Sequence, residues 1–328
     1  MCHVCNTAHR TVRNSMRLDP TRTTLIRRAV IVELNKRFRL LRRDVMKLVE
    51  EDDIFGLKQK TDPIKQALAT NAPRRAWEFK TVDAKLTSFN RWFKRQVQLR
   101  VLDGGSSKRP WLADYVESAY KKGALRAYTD THKELNRPQA YYDGSRAEFL
   151  RQAFGSPEAT AKIRMAYMRA YEELQGITAA MSQQISRVMA DSISHGRGAA
   201  ETARMLNKRI SGIGRQRALV LARTEIVHAH AEGQLDSFEH LGVEELGVEA
   251  EWKTAGDDAV CEECADLEGR IYTVEEARGM IPRHPNCRCA WIPYLGPTNN
   301  QARREFLARR RSRRFMRISA SPVRTSAW

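Results

Sequence analysis

The sequence predicts a mainly α-helical protein with a small C-terminal α+β module, and three observations carry that prediction. A seam of Ile163, Tyr167, Ala170, Leu174, Ile177, Met181, Ile185 and Val188 steps by three and four, the mark of a long helix that buries one stripe. After Gly242 the texture changes to short β-like pieces, Val248–Lys253 and 270–274, separated by turns. Cysteines and a histidine then crowd between residues 261 and 289, as in a zinc-ribbon-like fold clamped by a metal.

The elements follow in chain order. Residues 1 to about 20 are basic and irregular, and Cys2, His3, Cys5 and His9 there have no flanking fold to build a site. Asp19-Pro20-Thr21 is a helix-opening signal. Leu34, Phe38, Leu41, Val45 and Leu48 then make one apolar stripe, while Arg37, Arg39, Arg42, Arg43 and Lys47 are expected on solvated faces. Residues 53–80 are weakly periodic. A second amphipathic stretch runs from Val82 to Leu102, a loop follows at residues 103–107, and Trp111 to Tyr128 is again helical in pattern.

The seam helix is expected to start near Ser156-Pro157-Glu158 and to stop before Gly196, folding back as a hairpin rather than as a coiled-coil dimer. Two more helices, 199–210 and 215–240, are expected on either side of Ser211-Gly212-Ile213-Gly214. The implied organisation is a helical region 1–150, a second domain 151–298 containing the Cys/His module 248–295, and a tail 299–328. In that tail Arg309, Arg310, Arg311, Arg313 and Arg314 form a candidate phosphate-binding run for nucleic acid.

Composition narrows the function classes. The chain has 328 residues and a formal net charge of +18, a surplus that calls for a polyanion or an acidic surface as neighbour. No apolar stretch is long enough for a membrane span and the first residues lack the core of a secretory signal, so assembly in a cytoplasm is expected. In a reducing compartment the cysteines read as metal ligands before disulfides.

Cys261-Glu262-Glu263-Cys264 and His284-Pro285-Asn286-Cys287-Arg288-Cys289 are two chelating turns about twenty residues apart. A Cys-x-x-Cys turn aims two thiolates at one ion at ~2.3 Å, and a second turn completes the tetrahedron. Cys261, Cys264 and Cys287 are the firmest ligands, with either His284 or Cys289 as the fourth. A zinc ion held in this way is structural, because four protein ligands leave no open position. His230-Ala231-Glu232, upstream of Cys261 and Cys264, invites another reading: nucleobase deaminases place a His-x-Glu before a Pro-Cys-x-x-Cys. Val260 stands where that proline belongs, and the reading leaves His284, Cys287 and Cys289 unused; an exposed histidine pair, His228 and His230, is the plainer alternative.

Taken in order, Ala222-Arg223-Thr224-Glu225, Gly233, Gly242-Val243, Trp252-Lys253-Thr254, Asp257-Asp258, Cys261-x-x-Cys264, Leu267-Glu268-Gly269 and the run from His284 to Cys289 resemble the phage Mu F-like head morphogenesis family. The resemblance covers about residues 160–295, and the stretch from Asp19 to Gly56 is similar to N-terminal regions of such minor head proteins. It implies a non-enzymatic virion protein of a tailed phage, associated with the portal protein, the packaged double-stranded DNA and a capsid or scaffold protein. It also implies that His230-Ala231-Glu232 is not catalytic. The apolar stripes of Leu25 to Val49, Val82 to Leu102 and Ile163 to Val188 have two expected uses, docking on the portal in helix-in-groove fashion, chiefly through the N-terminal region 1–150, or burial in the protein's own core.

Overall fold

The computed structural model describes residues 19–57, 81–103, 110–134, 146–240 and 248–295. Helix α1 spans Thr24–Met46 and runs on into a wider π turn, Lys47–Glu51. Its cap comes from upstream: the Asp19 carboxylate accepts from the Thr24 backbone N–H at 3.2 Å and from the Thr24 hydroxyl, and pairs with Arg27 at 3.1 Å. Burial alone would raise the Asp19 pKa, but the Thr24 hydrogen bonds and the Arg27 charge hold it below the usual carboxylate value.

Helix α2, Val82–Val97, is capped by Thr81, which accepts from the Ala84 N–H at 3.2 Å, and it likewise widens into a π turn over Gln98–Leu102. Helix α3 spans Trp111–Glu134 and α4 spans Arg146–Gly155, the latter not anticipated from the sequence. Helix α5, Pro157–Ser194, has the expected limits: the Ser156 hydroxyl accepts from the Ala159 N–H at 3.1 Å, Pro157 sits in the first turn, and Gly196 leaves the helix at φ +63°. Its buried stripe is Ala166, Ala170, Leu174, Thr178, Met181, Ile185 and Met189, with Ile163, Tyr167 and Ile177 half-buried. A straight helix at 3.6 residues per turn drifts off a strict heptad in this way.

Helix α6 runs unbroken through Ala199–His240, where two helices were expected. Gly212 and Gly214 do not interrupt it. A Cβ on Gly214 would lie 3.0 Å from the Phe38 ring of α1, so this glycine makes room for a neighbouring helix. Farther along, a Cβ on Gly233 would stand 2.1 Å from the Tyr120 carbonyl oxygen, and one on Gly123 of α3 would stand 2.0 Å from that of His230. The two glycines let α3 and α6 cross backbone to backbone.

The apolar stripes of α1, α2 and α5 meet one another and α6 in a single cluster that includes Leu34, Phe38, Phe89, Phe93, Leu174 and Ile226. Of the two uses expected for these stripes, the structure shows the second: they are covered by the protein's own core. The cluster draws on residues on both sides of position 150. Among the described residues no helix is long and apolar enough to cross a membrane.

Strand β1 (Val248–Lys253) lies between β2 (Ile271–Tyr272) and β3 (Ala290–Leu295), with both pairings antiparallel and Trp252 opposite Trp291. Both indoles are fully buried, edge to face at 5.3 Å. Strand β3 was not read from the sequence because its first four residues are all buried, without alternation, and Pro293 interrupts it. A proline is tolerated there because β3 is an edge strand. The other side of that edge is closed by α6: the Gln234 amide donates to the Trp291 carbonyl at 2.7 Å and accepts from the Trp291 N–H at 3.2 Å, as a neighbouring strand would. The sheet and the end of α6 enclose a second cluster of Val227, Ala231, Leu235 and Phe238 with Val248, Trp252, Ile281 and Trp291.

Candidate metal centre

Two turns of the module bring the predicted donors together. Cys261 caps the short helix α7, Glu262–Ala265, its sulfur accepting from the Cys264 N–H at 3.4 Å, so one helical turn aims both thiols the same way. The second turn follows helix α8, Val274–Ala277, which a Thr273/Glu276 capping box starts. Here the Cys287 N–H donates to the His284 carbonyl at 3.1 Å, and Asn286 adopts φ +66°.

The donors form two triples that share Cys264: Cys261, Cys264 and His284, and Cys264, Cys287 and Cys289, each within 4.8 Å. The His284 Nε2 lies 3.2 Å from both the Cys261 and the Cys264 sulfur. Its Nδ1 is 2.9 Å from the Pro285 carbonyl, which can only accept, so the proton sits on Nδ1 and Nε2 keeps a free lone pair. Metal-binding imidazoles are oriented in this manner. Thiols and one imidazole at such spacings are a soft donor set able to hold a metal ion. Cys264, Cys287 and Cys289 are buried and Cys261 is exposed.

The thiols perturb one another. Cys287 is held down to about 5, chiefly because Cys289 donates to its sulfur, while Cys289 is raised by the same hydrogen bond and by burial. Cys264 is pushed up to about 12, mainly by burial.

Residues 183–292, about a third of the chain, match the model of the family described as Phage Mu protein F like protein. This stretch is similar to Mu F-like proteins. The match agrees with the ordered motifs of the sequence that resemble the phage Mu F-like head morphogenesis family. No curated protein and no solved structure matches the chain.

The motif residues of the matched stretch act as ties between elements. Arg288 grips Asp257 with both guanidinium nitrogens, one at 2.6 Å, locking the second ligand turn to the loop before Cys261 and holding the Asp257 carboxyl below its usual pKa. Glu268 accepts from Lys253 and, at 2.6 Å, from the Thr254 N–H. Burial alone would raise Glu268, but these donors hold it low. Thr224 accepts from the Asn286 N–H at 3.3 Å, and its neighbour Glu225, raised by burial, meets Arg169 of α5 at 3.2 Å.

The deaminase-like triplet is not assembled with these cysteines. His230 belongs to neither donor triple, and Glu232 is held by Arg278 at 3.2 Å and by the Gly279 N–H at 3.0 Å. His228 and His230 are buried, not exposed; His228 faces the Ile281 carbonyl at 3.3 Å. Sequence reasoning missed Gln234 as the partner of β3 and Gly123 as the counterpart of Gly233. A polar side chain one position after a motif glycine, on the buried face of a helix, was the available signal for the first. Arg309, Arg310, Arg311, Arg313 and Arg314, like Cys2 and Cys5, lie outside the described residues.

Proposed function

We propose that this chain is a non-enzymatic minor head protein of a tailed bacteriophage, placed in the virion near the portal and the packaged double-stranded DNA. The observation that carries the reading is the work of the motif residues within the matched stretch: Thr224, Gly233, Lys253, Asp257, Glu268 and Arg288 each hold one element to another. A domain whose signature residues hold its own elements together is suited to assembly. Docking on the portal then uses surfaces other than the apolar stripes, which the core has taken.

In this reading the metal is zinc, held by Cys261, Cys264, Cys287 and His284, with Cys289 as a thiol donor to Cys287. The set of His284 contacts to Cys261 and Cys264 favours the imidazole as fourth ligand. Bound zinc supplies cross-linking of the two turns, and its four protein ligands leave no position for a substrate. The test uses phage carrying an inactivating stop codon in this gene, together with mass spectrometry of wild-type virions. We expect the chain in purified heads, retention of the full-length chain on co-expressed portal rings, and loss of infectious particles without it. Normal infectious heads that lack the chain would contradict the proposal.

A further inference from the structure

The charge of the described residues is unevenly distributed along α6. Between Glu201 and Glu225 that helix carries Arg204, Lys208, Arg209, Arg215, Arg217 and Arg223 and no acidic residue. Beyond Glu225 the pattern reverses: Glu232, Asp236 and Glu239 are met by Arg278, and Asp236 also by Lys162 at 2.6 Å. One end of the helix is neutralised within the protein, and the other is left with surplus cations.

Those cations are arranged in rows. Arg204, Lys208 and Arg215 share one exposed face of α6 by their steps of four and seven, alongside Ser211. On α1 and the first residue of the π turn that continues it, Lys36, Arg39, Arg43 and Lys47 are exposed and follow one another by steps of three and four. Arg42 donates to the Ser211 hydroxyl at 3.3 Å, which sets the two helices side by side there. Between them lies an open groove of about 490 Å³, flanked by Lys36, Arg39, Arg42 and Arg43 and closed on the α6 side by Asn207. Arg39, Arg43, Lys208 and Arg215 make no ion pair with any described residue, whereas the acidic residues of α1 are engaged: Glu33 with Arg37 at 2.9 Å and Asp44 with Arg100 at 2.7 Å.

We propose that this α1/α6 surface binds the phosphate backbone of duplex DNA, without reading bases. Each row is about 16 Å long at 1.5 Å per residue, and over that length one strand of a duplex presents about five phosphates. No aromatic side chain lines the groove. Single-strand binders stack bases on aromatic rings, so the surface lacks what a single strand would need and has what a duplex backbone needs. The inference rests on the reading of a protein placed beside packaged DNA, and supplies a contact surface within the folded helices that does not depend on the arginine-rich tail.

The test measures the affinity of the full-length chain for a mixed-sequence duplex as a function of salt. One variant combines Arg39→Gln, Arg43→Gln, Lys208→Gln and Arg215→Gln; a control removes equal charge through Arg91→Gln, Lys94→Gln, Arg95→Gln and Arg187→Gln, also exposed. Circular dichroism melts confirm that both fold. Each phosphate contact contributes about 0.9 to the slope of log affinity against log salt, so removing four cations is expected to flatten the slope by about 3.6 and to weaken binding at least tenfold at 0.1 M salt, while the control stays within about twofold of wild type. Unchanged slope and affinity in the first variant, an equal loss in the control, or tighter binding of wild type to single-stranded than to duplex DNA would each overturn the inference and leave the assembly role standing. Failure of the wild-type chain to bind any nucleic acid would remove DNA association from the proposed function as well.

Discussion

The two ends of α6 are held in contrasting ways. Up to about Ala229 the helix sits in a large apolar cluster fed by α1, α2, α3 and α5, where Leu34, Phe38, Phe89 and Leu174 have no polar task. From Val227 onward it meets a sheet of three short strands whose core is two tryptophans, a few aliphatic side chains and three thiols. There the contacts are specific ones: Gln234 on the β3 edge, Arg288 on Asp257, Glu268 on Thr254. A large helical core tolerates change of side chain provided volume and pattern are kept. A small core lacks that latitude and must fix its loops one by one, which is why the residues that resemble a family signature concentrate in and around the module.

The crossing of α3 and α6 joins the two regimes, and it is where the largest effect of a single substitution is expected. Gly233→Ala puts a methyl 2.1 Å from the Tyr120 carbonyl oxygen, a backbone atom that cannot step aside, and should cost about 3 kcal/mol in denaturant unfolding. Gly212→Ala on the same helix meets nothing within 4 Å and should instead gain about 1 kcal/mol through helix propensity. Equal effects at the two sites would mean that the close crossing does not constrain the fold.

A smaller effect sharpens the comparison through pH. His230 is fully buried and neither ring nitrogen meets a hydrogen-bond partner, and burial lowers its pKa to about 3. The unfolded chain takes up this proton near pH 6.5 and the folded chain does not, so stability falls as pH drops from about 6.5 toward 3, by up to about 1.4 kcal/mol per unit. His230→Leu removes both the unpartnered nitrogens and the proton uptake. It is expected to be at least as stable as wild type at pH 7.5 and less sensitive to acid, by unfolding midpoints at pH 7.5, 6 and 5. A variant that is less stable at pH 7.5, or equally sensitive, would show that the ring has a polar role in the crossing.

What the sequence disclosed depended on how local each signal was. The limits of α5 were legible because Ser156, Pro157 and Gly196 act within one turn of their own positions. The two chelating turns were legible for the same reason. The continuity of α6 was not, since Gly214 looks like a helix breaker until Phe38 is brought against it. The pairing of Gly123 with Gly233, and of Gln234 with the β3 edge, depends on elements far apart in the chain, and no local pattern records it. The stripes of α1, α2 and α5 were correctly seen as apolar, but which partner covers a stripe is decided by tertiary packing.

The claim that the module depends on a clamp while the bundle depends on apolar packing is tested most directly by hydrogen exchange before and after metal removal. The full-length chain, purified without added metal, is assayed for bound zinc, treated with a chelator and compared region by region, with Cys264→Ser as the genetic counterpart. The account predicts about one zinc per chain, loss of protection across residues 248–295 on chelation and in the variant, and retained protection in α1, α2 and α5. A metal-free chain with full protection over 248–295, or a chelated chain in which the bundle unfolds together with the module, would contradict it.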